Sequence, residues 1–269
     1  MTRPPFSPLR RRTGAWPPFS SAVRARARCA FEAALLLAVS IAYAARPAAA
    51  WGLRGDAPAS DFRDFERRFS GDVYDYPRHG AAPLGLAGFE VWADASVDSG
   101  FGGRSFRNTV IAGSLPGRAL TMLRAGVRKG LPAGIDLGVS YGQALGGGPK
   151  LAAADIQWAI VKGGALSPAL SLRLTGARSL KSDPYYLQQY GAELLVSKGF
   201  PALTPYAGAG LVESRGRLDS TLGSSLRDNR THAVVYAGVT LNLLLPKIHI
   251  EVEHAEVTQA AVRIGFGLK

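Results

Sequence analysis

From Gly88 to Leu268 apolar and polar residues alternate in ten short runs, near 88–98, 118–130, 134–143, 151–162, 169–180, 186–199, 204–214, 231–244, 247–255 and 259–268. A period of two sends successive side chains to opposite faces of a strand. Each run therefore predicts a strand with one apolar face. Examples are Phe89, Val91, Ala93, Ala95 and Val97, then Ile135, Leu137, Val139 and Tyr141, and Ala233, Val235, Ala237, Val239, Leu241 and Leu243. The odd-numbered connections are longer than the even-numbered ones, mainly through 99–117 and 215–230. An even strand count with turns at one end and loops at the other describes an outer-membrane barrel with its turns in the periplasm. The expected fold is all-β: an antiparallel up-and-down transmembrane β-barrel of about ten strands over 88–269.

A soluble lipocalin-like barrel also alternates, but it turns its apolar face inward. Three features favour the inverted arrangement. The apolar faces are long enough to cross a hydrocarbon core, for which about ten tilted residues suffice. The opposite face carries Glu90, Asp94, Arg124, Arg128, Asp136, Asp155, Arg173, Glu193, Glu251, Glu253 and Arg263, seven acids against four bases, a candidate lumen charge network. A turn signal also recurs in Lys129-Gly130-Leu131-Pro132, Lys162-Gly163 and Lys198-Gly199-Phe200-Pro201. Lys129, Lys162 and Lys198 share parity with the apolar face, where a long cationic side chain can reach the membrane interface. The last strand, with Val262, Ile264, Phe266 and Leu268 alternating before Lys269, is similar to the C-terminal signal read by the outer-membrane assembly machinery.

The first fifty residues differ in character. Eight arginines precede or flank an apolar run, Ala30 to Ala45, and Ala48-Ala49-Ala50 offers a small-residue cleavage site. Residues 1–50 are expected to be a cleaved signal peptide that directs the chain to the outer membrane. The basic stretch is longer than such a signal needs, which suggests a start further downstream, near Val23. Removal of this segment changes the charge picture, because the formal +12 falls to +5. No clustered basic face survives, so nucleic acid is not an expected partner. The one cysteine, Cys29, leaves with the signal, and no disulfide framework or thiolate chemistry remains.

Residues 51–87 are expected to form a periplasmic N-terminal segment with one short helix, Asp61 to Phe69, capped by Ser60, with Phe62, Phe65 and Phe69 on one face. The favoured position is the periplasmic rim; a plug in the barrel mouth and a helix lying on the membrane are the alternatives. Tyr74, Tyr76, Pro77 and Pro83 predict an extended lead into the barrel.

The runs Ala82-Pro83-Leu84-Gly85-Leu86-Ala87-Gly88-Phe89-Glu90, Gly134-Ile135-Asp136-Leu137-Gly138 and Leu203-Thr204-Pro205-Tyr206-Ala207-Gly208, with the lysine-glycine turns, resemble an uncharacterised family of proteobacterial outer-membrane β-barrel proteins. The resemblance spans roughly 60–269. It implies the fold and carries over no catalytic residue or cofactor.

Chemistry is sparse. An outer-leaflet lipid-modifying enzyme needs a nucleophile, a histidine and an acid within reach at the rim. Ser220, Ser224, Ser225, His254, Asp219 and Asp228 are the candidates, without a nucleophile elbow around them. Glu251 and Glu253 point away from His254 and Glu256, against a shared metal site. No metal or cofactor is expected. The lumen glycines, among them Gly126, Gly138, Gly142, Gly191, Gly208 and Gly238, leave room for a narrow channel for ions or small solutes. A non-conducting envelope or surface-interaction barrel is the favoured role. Its expected partners are outer-membrane lipids, including lipopolysaccharide met by Phe101, Arg104, Phe106, Arg107, Arg215, Arg217, Arg227 and Arg230.

Overall fold

Alternation is realised as ten antiparallel strands that close on themselves. The computed structural model describes residues 51–269 except 99, 101–105, 114–118, 165, 181–183, 220–222, 244–245 and 269, so the expected signal, 1–50, lies outside the described residues. The barrel strands are β1 (Phe89–Asp98), β2 (Leu120–Gly130), β3 (Ile135–Ala144), β4 (Lys150–Lys162), β5 (Ala169–Leu180), β6 (Tyr185–Ser197), β7 (Leu203–Asp219), β8 (Ser225–Asn242), β9 (Pro246–His254) and β10 (Thr258–Leu268). Each pairs with the next, and β10 closes on β1 with Arg263 opposite Asp94. Closure leaves no unpaired strand edge, as a lipid environment demands.

The barrel is inside out. Val127, Val139, Trp158, Ile160, Leu194, Leu211, Val235, Val252 and Val262 are exposed on the outer wall, while Glu90, Asp94, Arg124, Arg128, Arg173, Glu193 and Glu253 are buried within. Water would not tolerate the first set, and an empty apolar interior would not tolerate the second. A hydrocarbon solvent outside and a polar filling inside accommodate both.

The 215–230 stretch differs from the loop expected of it. β7 and β8 continue as a hairpin through Asp219 and Ser225, with Arg217 opposite Arg227 and Arg215 opposite Asn229. Gly216, Leu218 and Leu226 keep the inward parity here, but the outward residues are polar, so the segment no longer looks like a membrane strand. It is a strand that rises above the apolar belt. Connection 99–119 remains the longest, and it marks one end of the barrel as the long-loop end.

Helix α1 (Ala59–Asp72) is longer than its aromatic stripe suggests. Pro58 occupies the N-cap position without a side-chain bond, and Ser60 lies inside the first turn rather than capping it. Asp61 in that turn suits the positive end of the helix dipole. The helix ends at Val73, four residues before Pro77.

Its position also differs from the favoured rim. α1 sits inside the barrel at the long-loop end, not beside the lysine-glycine turns. Phe62, Phe65 and Phe69 are buried in one cluster with Phe106, Leu120, Met122, Leu151, Tyr185 and Leu218. Phe65 stacks on Phe69 at 5.0 Å and meets Phe106 and Tyr185 edge-on at 5.9 Å. Three phenylalanines need an apolar site that no rim exposed to water supplies, and each gains about 1.5–3 kcal/mol by burial. Gly52–Leu53 pairs with Ile111–Ala112 of the long connection and fastens the start of the segment at the same end.

Candidate functional site

Between α1 and β1 the chain runs down the lumen from the long-loop end to the turn end. This strap, residues 73–88, begins beside Glu193 and finishes at the β2–β3 turn, where the Gly130 N–H donates to the Gly88 carbonyl at 3.0 Å. The strap brings charge and aromatic rings to the middle of the barrel. Arg78 donates to Asp94 at 2.7 Å and to both oxygens of Glu253, at 2.5 and 2.9 Å. Its backbone lies in the left-handed region, φ 47°, an uncommon conformation for a residue with a side chain. Tyr74 and Tyr236 both donate to Glu193, the second at 2.8 Å, and Tyr76 fills the space between them.

The strand charges surround this thread. Arg263 donates to Asp94 at 3.0 Å and to the Pro77 carbonyl at 2.6 Å, and it lies 3.7 Å over the Trp92 ring. Arg173 reaches Asp155, Glu193 and strap residue Asp75 at 3.2, 3.0 and 3.1 Å. Arg128 meets Asp155 at 2.9 Å, and Arg124 donates to the Asp72 and Tyr74 carbonyls. Asp136 accepts the Leu84 N–H, and Glu90 faces His249 at 3.6 Å. Glu251 neighbours Glu253 and Tyr206. All eleven network candidates therefore line the lumen, and most of them hold the strap as well as one another. Arg78, Asp75, Tyr74 and Tyr76 complete the arrangement and were not singled out from the sequence as lumen residues. For Arg78 the available signal was the imbalance of seven acids against four bases on the strands, which leaves carboxylates short of cations; Asp75, Tyr74 and Tyr76 had no such signal.

Glycines open the wall to this filling. A Cβ at Gly191 would collide with the Tyr74 hydroxyl, and one at Gly216 with the Glu66 carboxyl. The room that suggested a passage is occupied by Tyr74, Tyr206, Tyr236, Trp92 and Arg124. At the turn end a cavity of about 60 Å³ remains, lined by His79, Glu90, Arg128, Asp136, Lys247 and His249 among others. That is space for a few waters.

The remaining candidates scatter. Lys129 donates to the Leu86 and Gly88 carbonyls and Lys198 to the Gly164 carbonyl, while Lys162 is exposed. His254 bonds Thr258 at 2.8 Å, Asp219 pairs with Arg217 and Asp228 with Arg230. Ser220 lies outside the described residues. Among the described residues no serine, His254 and acid come together. Phe106, expected on the surface, is buried beneath α1, and Arg230 turns toward the barrel mouth. Phe101 and Arg104 are outside the described residues.

On α1, outside the spanning strands, burial pushes the Glu66 carboxyl up to about 8, although the Tyr185 hydroxyl donates to it at 2.6 Å. Burial and the neighbouring Asp98 likewise raise Asp72.

No protein-family profile matches the chain, and no curated protein matches it. Solved structures are similar in fold. The N-terminal β-barrel domain of Pseudomonas aeruginosa OprF aligns over 68% of this chain and 99% of its own, at 15% identity and TM-score 0.33. Neisserial surface protein A aligns over 67% and 96%, at 15% and 0.31. LpxR from Salmonella typhimurium aligns over 65% and 99%, at 11% and 0.35. At these scores no residue role passes from them to this chain.

Proposed function

We propose that this chain is an outer-membrane barrel closed by its own N-terminal segment, a non-conducting envelope protein that works through its long-loop end. The observation that carries the reading is the filled lumen: α1 stops one mouth, and the strap is tied to the wall by buried ion pairs at Asp75 and Arg78 and by hydrogen bonds at Ala81 and Leu84. An apolar belt outside and charge inside support a membrane location, and the export-like first fifty residues support the outer membrane. In this reading the long-loop end faces outward and the lysine-glycine turns face the periplasm. The role is one of binding and envelope structure rather than catalysis.

Residues 51–269, refolded and checked for a heat-dependent mobility shift, are expected to give no discrete conductance steps in a planar bilayer. Ohmic single-channel steps from the folded protein would replace this reading with that of a narrow channel.

A further inference from the structure

The outer wall of β5 to β8 changes chemistry where the strands rise above the apolar belt. Outward parity places Arg178 on β5, Tyr186, Gln188 and Tyr190 on β6, Arg215 and Arg217 on β7, and Arg227 and Asn229 on β8. Register aligns them in two rows. Arg178, Gln188, Arg215 and Asn229 form one, and Tyr186, Arg217 and Arg227 the next. With strands about 4.8 Å apart, Arg178 and Arg215 stand roughly 10 Å from each other.

Two details show that internal packing does not account for the set. Arg217 and Arg227 are direct cross-strand partners, and like charges in that position repel. Among the described residues Arg178 and Arg227 have no ion-pair partner, and the pairs of Arg215 with Glu213 and Arg217 with Asp219 are solvent-exposed, where such pairs are weak. The guanidinium groups of Arg217 and Arg215 lie over the Tyr186 and Tyr190 rings at 4.7 and 5.8 Å. Stacking holds them against the wall; the Nε–Nη2 edge of each turns to an exposed carboxylate, Glu213 or Asp219, and the Nη1 N–H groups are left for an anion.

Directly below, Ala152, Ala154 and Gly176 form a shallow groove of about 370 Å³ with Tyr190 and Arg178 along it. A second groove, of about 360 Å³, is lined by Tyr186, Arg215, Arg217, Arg227 and Asn229, and Gln188 belongs to both. Small residues thus make room along the apolar wall under a cationic shelf. The occupant that fits both halves is an amphiphile with phosphates at its head and an acyl chain at its tail.

We propose that Arg178, Arg215, Arg217 and Arg227 bind the phosphates of lipopolysaccharide and that the groove of Ala152, Ala154 and Gly176 seats one of its acyl chains. The proposal deepens the reading above and rests on its placing the long-loop end in the outer leaflet. Refolded 51–269 in neutral detergent, titrated with bis-phosphorylated lipid A and read by native mass spectrometry, is expected to retain one lipid. Monophosphorylated lipid A, the fourfold variant R178Q/R215Q/R217Q/R227Q and the groove variant A154F should each bind at least about tenfold more weakly. All should keep the heat-dependent mobility shift. Equal binding by the fourfold variant, or equal retention of phosphatidylglycerol, would overturn the site. Displacement by soluble polyphosphate with A154F unaffected would reduce it to a polyanion surface and also overturn it. Conductance reports on the closed lumen separately, so either reading can fail alone.

Discussion

Arg78 is the residue on which the filled lumen turns. It is fully buried, it bonds two carboxylates on strands β1 and β9, and it is held at a left-handed backbone position. Removing one partner of a buried ion pair strands the other charges, at a cost of about 3–5 kcal/mol. R78M, which keeps most of the volume, is expected to lower folded stability by that order, seen as an earlier urea midpoint of the heat-modifiable form. An unchanged midpoint would mean that the strap does not hold the barrel. The lumen carboxylates were legible from strand parity, because the pleat fixes which face each residue takes. Arg78 was not, since its partner Glu253 is 175 residues away and no local period links a strap to a strand. The unequal count of acids and bases was the one feature that could have pointed to a further cation.

At the scale of the element, α1 shows what periodicity supplies and what it leaves out. The spacing of Phe62, Phe65 and Phe69 predicted a helix with one apolar face, and that face is the buried one. Its location depends on Phe106, Leu120 and Tyr185, which belong to three separate parts of the chain. Strands were legible almost to the residue because lipid imposes one solvent on one face throughout their length. The upper halves of β7 and β8 escaped because water replaces lipid there and the alternation becomes polar against small or apolar. The buried Glu66 gives α1 a pH dependence. Its carboxyl ionises near 4.5 when unfolded and near 8 when docked, so the unfolded chain releases its proton first. Stability from this group is therefore complete below about pH 4.5 and declines as pH rises toward 8. Urea midpoints measured across that window should fall for the wild type and fall less for E66Q, with Asp72 responsible for the remaining slope. Parallel curves would show that Glu66 is not protonated in the folded barrel.

For the whole molecule, the path of the chain fixes a sidedness that can be read directly. Residues 51–72 lie at the long-loop end, the strap descends through the lumen, and only then does β1 climb the wall. The segment before the first strand thus begins on the side opposite the turns that an even-stranded barrel leaves in the periplasm. Ser60 is exposed at the long-loop end and Lys162 at the turn end. Cys29, the single cysteine, lies in the segment expected to be removed, which makes the two positions clean labelling sites. S60C should react with a membrane-impermeant maleimide on intact cells, and K162C only once the outer membrane is opened. Strand alternation cannot predict this, because a barrel with its N-terminal segment in the periplasm would have the same pattern on its wall. The reverse labelling would place α1 on the periplasmic side. It would also remove the outer leaflet from the arginine shelf, and with it the lipid proposed there.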